Sequence, residues 1–142
     1  MNLYVEQKNK YQRKINEFLH RNAFFAFNEQ QYKNGLKRLK TTESDLQPIP
    51  GNGYILKGQA PKLYGLVNEM REARTEAIND PETGLQFARD MFLYELRNHE
   101  YLYTADPEEA VNALGYSMNE IKKNAKLKCA LQEAINILIE EE

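Results

Sequence analysis

The sequence predicts an α+β fold that is predominantly helical, with five or six helices packed on a small two- or three-stranded β-sheet. Apolar residues recur at three- and four-residue steps over most of the chain, which is typical of amphipathic helices. Proline and glycine cluster between residues 48 and 53, which favours a tight turn between short strands. A length of 142 residues suits one hydrophobic core, so we predict a single domain over residues 1–142.

Composition narrows the class of protein. Hydrophobic residues make up 42% and charged residues 28% of the chain, which is typical of a soluble globular protein. No apolar run is long enough to cross a bilayer and no signal-peptide pattern opens the chain, so we expect no membrane contact. The single cysteine, Cys129, excludes an internal disulfide and fits a reducing, cytoplasmic location.

Charge is distributed unevenly along the sequence. Residues 1–42 carry nine Lys/Arg against three Asp/Glu, a net charge of +6, whereas residues 43–142 carry ten against eighteen, a net charge of −8. The basic part is able to contact phosphates, and the acidic part suits a basic surface on another protein. Two solvated faces of opposite sign that attract each other in the fold would give the same pattern.

The first elements follow from apolar spacing and from caps. A helix is predicted over residues 3–20, then a brief strand or aromatic plug over residues 24–27, then a helix over residues 29–39 with Asn28 as its N-cap. Gly35 inside that helix costs about 1 kcal/mol relative to alanine, so close packing against another element is expected there.

Residues 41–61 are the least helical part of the chain. The turn at residues 50–53 predicts a small β-hairpin, or a two-stranded addition to the aromatic strand. This glycine-rich turn is too short for a nucleotide-binding loop and lacks the Lys-Ser/Thr that would follow one.

The second half of the chain is predicted to be helical throughout. One helix begins at Pro61 and runs to about residue 79, and Asp80 and Pro81 open a second helix that runs to about residue 103. The second is apolar on more than one side and should be central to the fold. Shorter helices are expected from residue 106 to 114, from the cap Ser117 onward, and from residue 125 to 142.

The candidate site lies on the predicted central helix. Glu95 and His99 stand four residues apart on its apolar face, so their side chains meet and point toward the core. A buried carboxylate or imidazole requires a hydrogen bond, an ion partner or a metal. A divalent metal, most plausibly structural zinc, would neutralise both groups.

The remaining metal ligands are not specified by spacing. The less certain candidates are Glu29, Gln31, His20 and Glu100. The alternative without a metal is a hydrogen-bonded Glu–His pair that locks the core.

Other chemistry has weaker support. No serine or cysteine stands in a catalytic motif, so we expect no enzyme, although a metal-dependent hydrolase at Glu95 and His99 stays an alternative. Residues 108–124 with the helix that follows have the shape of a helix-turn-helix, so a DNA-binding phage regulator is a second alternative function. Base-reading side chains are scarce there, and a plain helical hairpin is favoured. Aromatic residues at helical spacing are assigned to the core, whereas Tyr101 and Tyr103 are expected to be partly exposed and to favour a protein interface.

Several short motifs carry a resemblance to known proteins. They are Phe25-Ala26-Phe27, Gln31-Tyr32, Gly35-Leu36, Gly51-Asn52-Gly53-Tyr54-Ile55, Glu95-Leu96-Arg97-Asn98-His99-Glu100-Tyr101 and Ala113-Leu114-Gly115. From about Phe24 to its end, the chain resembles a group of small proteins encoded by phages and prophages of Gram-positive bacteria.

The resemblance implies a function. Some proteins of this group, including streptococcal ones, are anti-CRISPR inhibitors of Cas9, and at least one type contains zinc. The implied action is stoichiometric binding to host Cas9, or to another defence protein, in the bacterial cytoplasm, which blocks nucleic-acid loading without catalysis. The resemblance also favours zinc at Glu95 and His99. Direct binding of nucleic acid by this chain is not expected.

Overall fold

A computed structural model describes residues 1–141 and confirms a predominantly helical α+β fold with one three-stranded antiparallel sheet. The helices in these residues are α1 (Leu3–Asn22), α2 (Glu29–Leu39), α3 (Ala60–Asn79), α4 (Gly84–Asn98), α5 (Tyr101–Thr104), α6 (Glu108–Ala113), α7 (Met118–Lys123) and α8 (Ala125–Glu141). The strands are β1 (Ala23–Phe25), β2 (Leu46–Ile49) and β3 (Gly53–Leu56). The described residues contain more helices than the five or six predicted, because α5, α6 and α7 are short.

The chain forms two compact units. One comprises Met1–Lys8 and the chain from Glu72 onward, and the other comprises Asn9–Arg71. The first contains eight Lys/Arg and sixteen Asp/Glu, a net charge of −8, and is called the acidic unit below. The second contains eleven Lys/Arg and five Asp/Glu, a net charge of +6, and is called the basic unit. The single domain over residues 1–142 stays a prediction.

The basic unit contains the sheet, whose strand order is β1-β3-β2. Strands β2 and β3 form the predicted hairpin, with Ile49 opposite Gly53, and β1 adds to the other edge of β3 with Ala23 opposite Ile55. The turn between β2 and β3 requires left-handed backbone at Gly51, with φ of 83°. Ala23 and Ile55 are buried and form a small core with Ala60 at the start of α3.

Helix α2 lies against β1 through its glycine. A Cβ at Gly35 would overlap the ring of Phe24, so only glycine allows this contact, and the predicted close packing is confirmed. Asn28 is the predicted N-cap, since its side chain accepts a hydrogen bond from the backbone N–H of Gln31 at 2.9 Å.

The acidic unit has α4 at its centre, as predicted. Phe92, Met91 and Leu96 of α4 are fully buried, and the helix packs against α8 and α6. The apolar residues of α8 that face it are Leu127, Ala130, Leu131, Ala134 and Leu138. Because these helices pack against different sides of α4, its apolar residues are buried on more than one side.

The predicted limits of α4 were wrong at both ends. The helix begins at Gly84, because Pro81 lies in a turn that precedes it. In this turn the backbone N–H groups of Glu82 and Thr83 donate hydrogen bonds to the side chain of Asp80. These hydrogen bonds lower the pKa of the Asp80 carboxyl. The helix ends at Asn98 instead of continuing to residue 103, because Glu100 has left-handed backbone with φ of 54° and α5 starts after it.

The predicted cap of α7 is confirmed. Ser117 accepts a hydrogen bond from the N–H of Glu120 at 3.1 Å, and the Glu120 side chain accepts one from the N–H of Ser117 at 3.2 Å. Gly115, with φ of 85°, lies in the turn that separates α6 from α7.

Within residues 1–141, no helix combines the length and the apolar character that crossing a membrane would need.

Candidate functional site

The two predicted site residues lie together in the acidic unit. Glu95 is in the last turns of α4 and is 7% exposed, and His99 is the residue directly after the helix. The Nε2 atom of His99 lies 3.5 Å from Oε2 of Glu95. Glu95 therefore lies on the buried face of α4, as predicted, whereas His99 lies just past the end of the helix and keeps 24% of its side chain exposed, so its predicted place on the apolar face of the helix was wrong.

Tyr4 of α1 is a third member of this cluster. Its hydroxyl donates a hydrogen bond to Oε1 of Glu95 at 3.3 Å. Burial raises the pKa of Tyr4 to about 12, and the negative charge of Glu95 adds to the shift. The phenol therefore stays protonated at neutral pH and is able to donate this hydrogen bond.

Glu109 of α6 completes the cluster from the side of solvent. Its Oε1 atom lies 3.6 Å from Nδ1 of His99, and 75% of its side chain is exposed. The imidazole of His99 thus stands between two carboxylates, one buried and one exposed. A protonated imidazole donates from both ring nitrogens, so it is able to serve Glu95 and Glu109 together.

Sequence spacing had no means of finding Tyr4 or Glu109. Tyr4 is 91 residues from Glu95 along the chain. Both join the site through packing of α1 and α6 within the acidic unit.

The cluster meets the need of a buried carboxylate without further ligands. Glu95 accepts from a phenol and lies against an imidazole, which is the paired arrangement that the sequence left open as the alternative to a metal. Such a cluster ties α1, α4 and α6 together by polar contacts. The contacts in this cluster give Glu95 and His99 a structural role.

A metal at this site would use few ligands of the described chain. Nε2 of His99 is the ring nitrogen that faces Glu95, so these two groups are the ones able to share an ion, while Glu109 would hold the proton on Nδ1. Structural zinc takes four ligands. Within residues 1–141, no group of three or more His, Cys, Asp or Glu side chains is arranged to hold a metal. Zinc at Glu95 and His99 therefore stays a proposal that needs water or a second molecule.

The less certain ligand candidates have other contacts. Glu29 is paired with Lys33 at 3.3 Å, Gln31 accepts from the N–H of Phe27, and the backbone carbonyl of His20 accepts from Arg38. These three candidates belong to the basic unit. Glu100 follows His99 directly and is exposed.

Replacing His99 with alanine separates the two interpretations of the site. If zinc is bound, the H99A variant is expected to lose both zinc content, measured by elemental analysis, and melting temperature. If the ion cluster acts alone, zinc is absent from both proteins and only the melting temperature falls. A wild type whose melting temperature drops after chelator treatment, with H99A unaffected by it, would also favour zinc.

A second buried carboxylate was missed by sequence reasoning. Asp90 of α4 is 8% exposed, and its Oδ2 accepts a hydrogen bond from the backbone N–H of Leu3 at 2.9 Å. Asn2 donates to the backbone carbonyl of Asp90 at 3.0 Å. The carboxylate therefore satisfies a free donor at the start of α1, where negative charge is favoured.

The segment after the cluster presents apolar side chains to solvent. Tyr103 is 90% exposed and Leu102 is 46% exposed on the single turn of α5. Residues with left-handed backbone, Glu100 and Ala105, lie on either side of that turn. Tyr103 was predicted to be partly exposed, which is confirmed. The exposed acids nearest to it along the chain are Glu100, Asp106, Glu108 and Glu109. We call Leu102, Tyr103 and these four acids the α5 surface.

The other predicted constellations are located as follows. The helix-turn-helix candidate corresponds to α6, α7 and α8, in which α7 has only six residues and buries Ile121. Lys122 and Lys123 are exposed at the end of α7. Cys129 is an exposed free thiol on α8.

Comparison with known proteins gives one match. A family model described as "Family of unknown function (DUF7659)" matches residues 3–136. No match is found among curated proteins or among solved structures.

Proposed function

The chain belongs to the family of unknown function DUF7659, and we propose that it is a non-catalytic binding protein that docks its acidic unit on a basic protein surface. Most specifically, we propose a phage-encoded inhibitor that binds host type II Cas9 in the bacterial cytoplasm and blocks the loading of guide or target DNA. The family match carries no function, so this proposal depends on the charge of the acidic unit and on the resemblance of the sequence motifs.

The observation that carries the proposal is the separation of charge between the two units. The acidic unit has a net charge of −8. A surface of this sign is attracted to a groove that binds nucleic acid, since such a groove is lined by positive side chains. Electrostatic attraction of this kind raises the association rate and excludes neutral or acidic partners.

The α5 surface provides the apolar part of such a contact. Aromatic side chains are enriched at protein interfaces, and Tyr103, 90% exposed, is the most exposed tyrosine of the described residues. The four exposed acids that flank it in the sequence match a basic partner. His99 lies 3.5 Å from a carboxylate oxygen of Glu95 and 3.6 Å from one of Glu109, and these contacts connect this segment to α4 and α6. Zinc at Glu95 and His99, if present, would act in the same place as a structural ion.

A DNA-cleavage assay with purified Cas9 and guide RNA tests the proposal. When the protein is added before the guide, DNA cleavage is expected to fall in proportion to the amount of protein. Inhibition should reach its maximum when the protein and Cas9 are near equimolar. A tyrosine pair supplies the variants: Tyr103→Ala should weaken inhibition, whereas Tyr64→Ala, which removes a 55% exposed tyrosine of the basic unit, should not.

Full cleavage at large excess of the protein, for several type II Cas9 enzymes, would contradict the Cas9 assignment. Inhibition far below equimolar amounts would contradict a stoichiometric mode of action. Equal loss of inhibition in both tyrosine variants would contradict docking through the α5 surface.

A further inference from the structure

The basic unit presents two phenylalanine rings to solvent, in the segment that the sequence predicts to be a brief strand or an aromatic plug. Phe27 is 73% exposed and Phe25 is 45% exposed, although both follow the fully packed Phe24 and Ala23. An exposed phenylalanine in isolation needs no explanation, but two within three residues form a patch. Their surroundings indicate which kind of molecule covers them.

The backbone that carries the two rings is fixed. The N–H of Ala26 donates to the carbonyl of Asn52 at 3.0 Å, and the N–H of Phe27 donates to the side chain of Gln31 at 2.7 Å. Asn28 then caps α2. Because these donors are satisfied, the backbone that carries the rings is ordered before any ligand binds, which lowers the entropic cost of binding.

Each of the two phenylalanine rings lies beside named residues of the basic unit. The ring of Phe25 lies over Gly53 of β3, where a Cβ would come within 2.7 Å of it. Phe27 lines a surface depression of about 310 Å³ together with Tyr32 and Tyr54, whose ring centroids are 5.1 Å apart. Three aromatic side chains therefore surround one opening beside β3.

Phe25 lines a second groove, of about 450 Å³, between the end of α1 and α2. Arg38 lines it as well and is held by hydrogen bonds to the backbone carbonyls of His20 and Ala23, the latter at 2.6 Å. The two openings share the segment of residues 25–27 between them, so a chain-like ligand is able to contact both rings in succession.

The net positive charge of the basic unit favours a negatively charged ligand. The basic unit has a net charge of +6, and α2 and its C-cap carry the exposed residues Lys37 and Lys40. Glu29, the acid that lines the first opening, is paired with Lys33 at 3.3 Å. A polyanion is therefore attracted to this unit.

Exposed rings combined with net positive charge match a single-stranded nucleic acid, whose bases stack on aromatic side chains while its phosphates contact lysine and arginine. Side-chain amides add a further match. Gln31 and Asn34 line the second groove, and the oxygens of both already accept hydrogen bonds, from Phe27 and Gln30 respectively. Their NH₂ groups are left to donate, and the ribose 2′-hydroxyl accepts such a bond.

We propose that Phe25 and Phe27 of the basic unit bind single-stranded RNA by stacking on its bases. This is independent of the proposed action on Cas9, because it concerns the other unit of the chain and a different ligand. It also departs from the expectation that the chain does not bind nucleic acid directly.

Fluorescence anisotropy with a labelled twelve-nucleotide oligouridine tests the proposal on the full chain. The wild type is expected to bind with an affinity that falls steeply as salt increases. Phe27→Ala and Phe27→Leu should each bind about five- to 150-fold more weakly, the range expected for loss of one stacking ring. Leucine preserves apolar contact but offers no π-face, so it distinguishes base stacking from docking of an apolar protein segment.

Two further proteins complete the experiment. Phe25→Leu keeps a side chain over Gly53 and should also bind more weakly, whereas Tyr103→Ala in the acidic unit should bind as the wild type does. Circular dichroism shows whether each variant is folded. Because Phe27 is mostly exposed, its replacement is the least expected to disturb the fold. No oligouridine binding by the wild type at 50 mM salt overturns the proposal. Equal binding of Phe27→Leu and wild type overturns stacking, and equal binding of oligothymidine overturns the assignment to RNA.

Discussion

Replacing Gly84 with alanine is expected to destabilise the protein by about 2–3 kcal/mol, at the upper end of the range for inserting a methyl group into a packed site. A Cβ at this position would overlap the backbone carbonyl oxygen of Ile78 and lie 2.9 Å from its carbonyl carbon. The same oxygen accepts a hydrogen bond from Lys126 at 3.0 Å. The added methyl group must therefore displace main chain at the end of α3 or break this bond.

Gly65 provides a matched control for that substitution. It lies within α3, and a Cβ there meets no atom within 4 Å. Alanine at Gly65 should stabilise the protein by up to about 1 kcal/mol, the usual gain over glycine inside a helix. Thermal or urea unfolding of both variants measures the difference. A Gly84→Ala variant as stable as Gly65→Ala would show that α4 does not start as closely to α3 as described.

Replacing Glu95 with alanine is expected to cost about 2 kcal/mol, because it leaves the buried hydroxyl of Tyr4 without its acceptor and His99 without its buried carboxylate. The substitution should also lower the pKa of Tyr4 from about 12, since Glu95 is the negative neighbour that adds to the effect of burial. Urea unfolding gives the first quantity, and titration of the Tyr4 phenol by NMR gives the second.

Glu109 supplies the control for Glu95. Its side chain contacts the same imidazole but is 75% exposed, so Glu109→Ala should change the stability by no more than about 0.5 kcal/mol. Equal effects of the two substitutions would mean that the buried carboxylate has no special role. An unchanged pKa of Tyr4 in the Glu95 variant would contradict the hydrogen bond between them.

Local sequence was sufficient for much of the fold. The spacing of apolar residues located α4 and placed Glu95 on its buried face, and the pair Ser117 and Glu120 identified the cap of α7. Gly35 was understood as a packing position, and Phe24 is the side chain that occupies it. These features depend on neighbours within a few residues along the chain, which a sequence displays directly.

The remaining features depend on contacts between distant residues or on unusual backbone. Tyr4, Asp90 and Glu109 acquire their roles from residues on other elements. The end of α4 was missed because glutamate favours helices, yet Glu100 adopts left-handed backbone. Exposure of Phe27 was missed as well, since an aromatic residue beside a strand is more often buried.

The two units suggest a division of roles within one chain. The acidic unit combines negative charge with the exposed Tyr103, and the basic unit combines positive charge with the exposed Phe27. A protein and a single-stranded nucleic acid are the partners that these two combinations match. Tyr103→Ala and Phe27→Leu are therefore expected to impair different binding activities.

Titration calorimetry of guide-free type II Cas9 with the protein tests the central claim most directly. The account predicts saturable binding with one protein per Cas9, with an affinity that falls as the ionic strength rises and that Tyr103→Ala weakens. An absence of saturable binding at low ionic strength, across several type II Cas9 proteins, would contradict it.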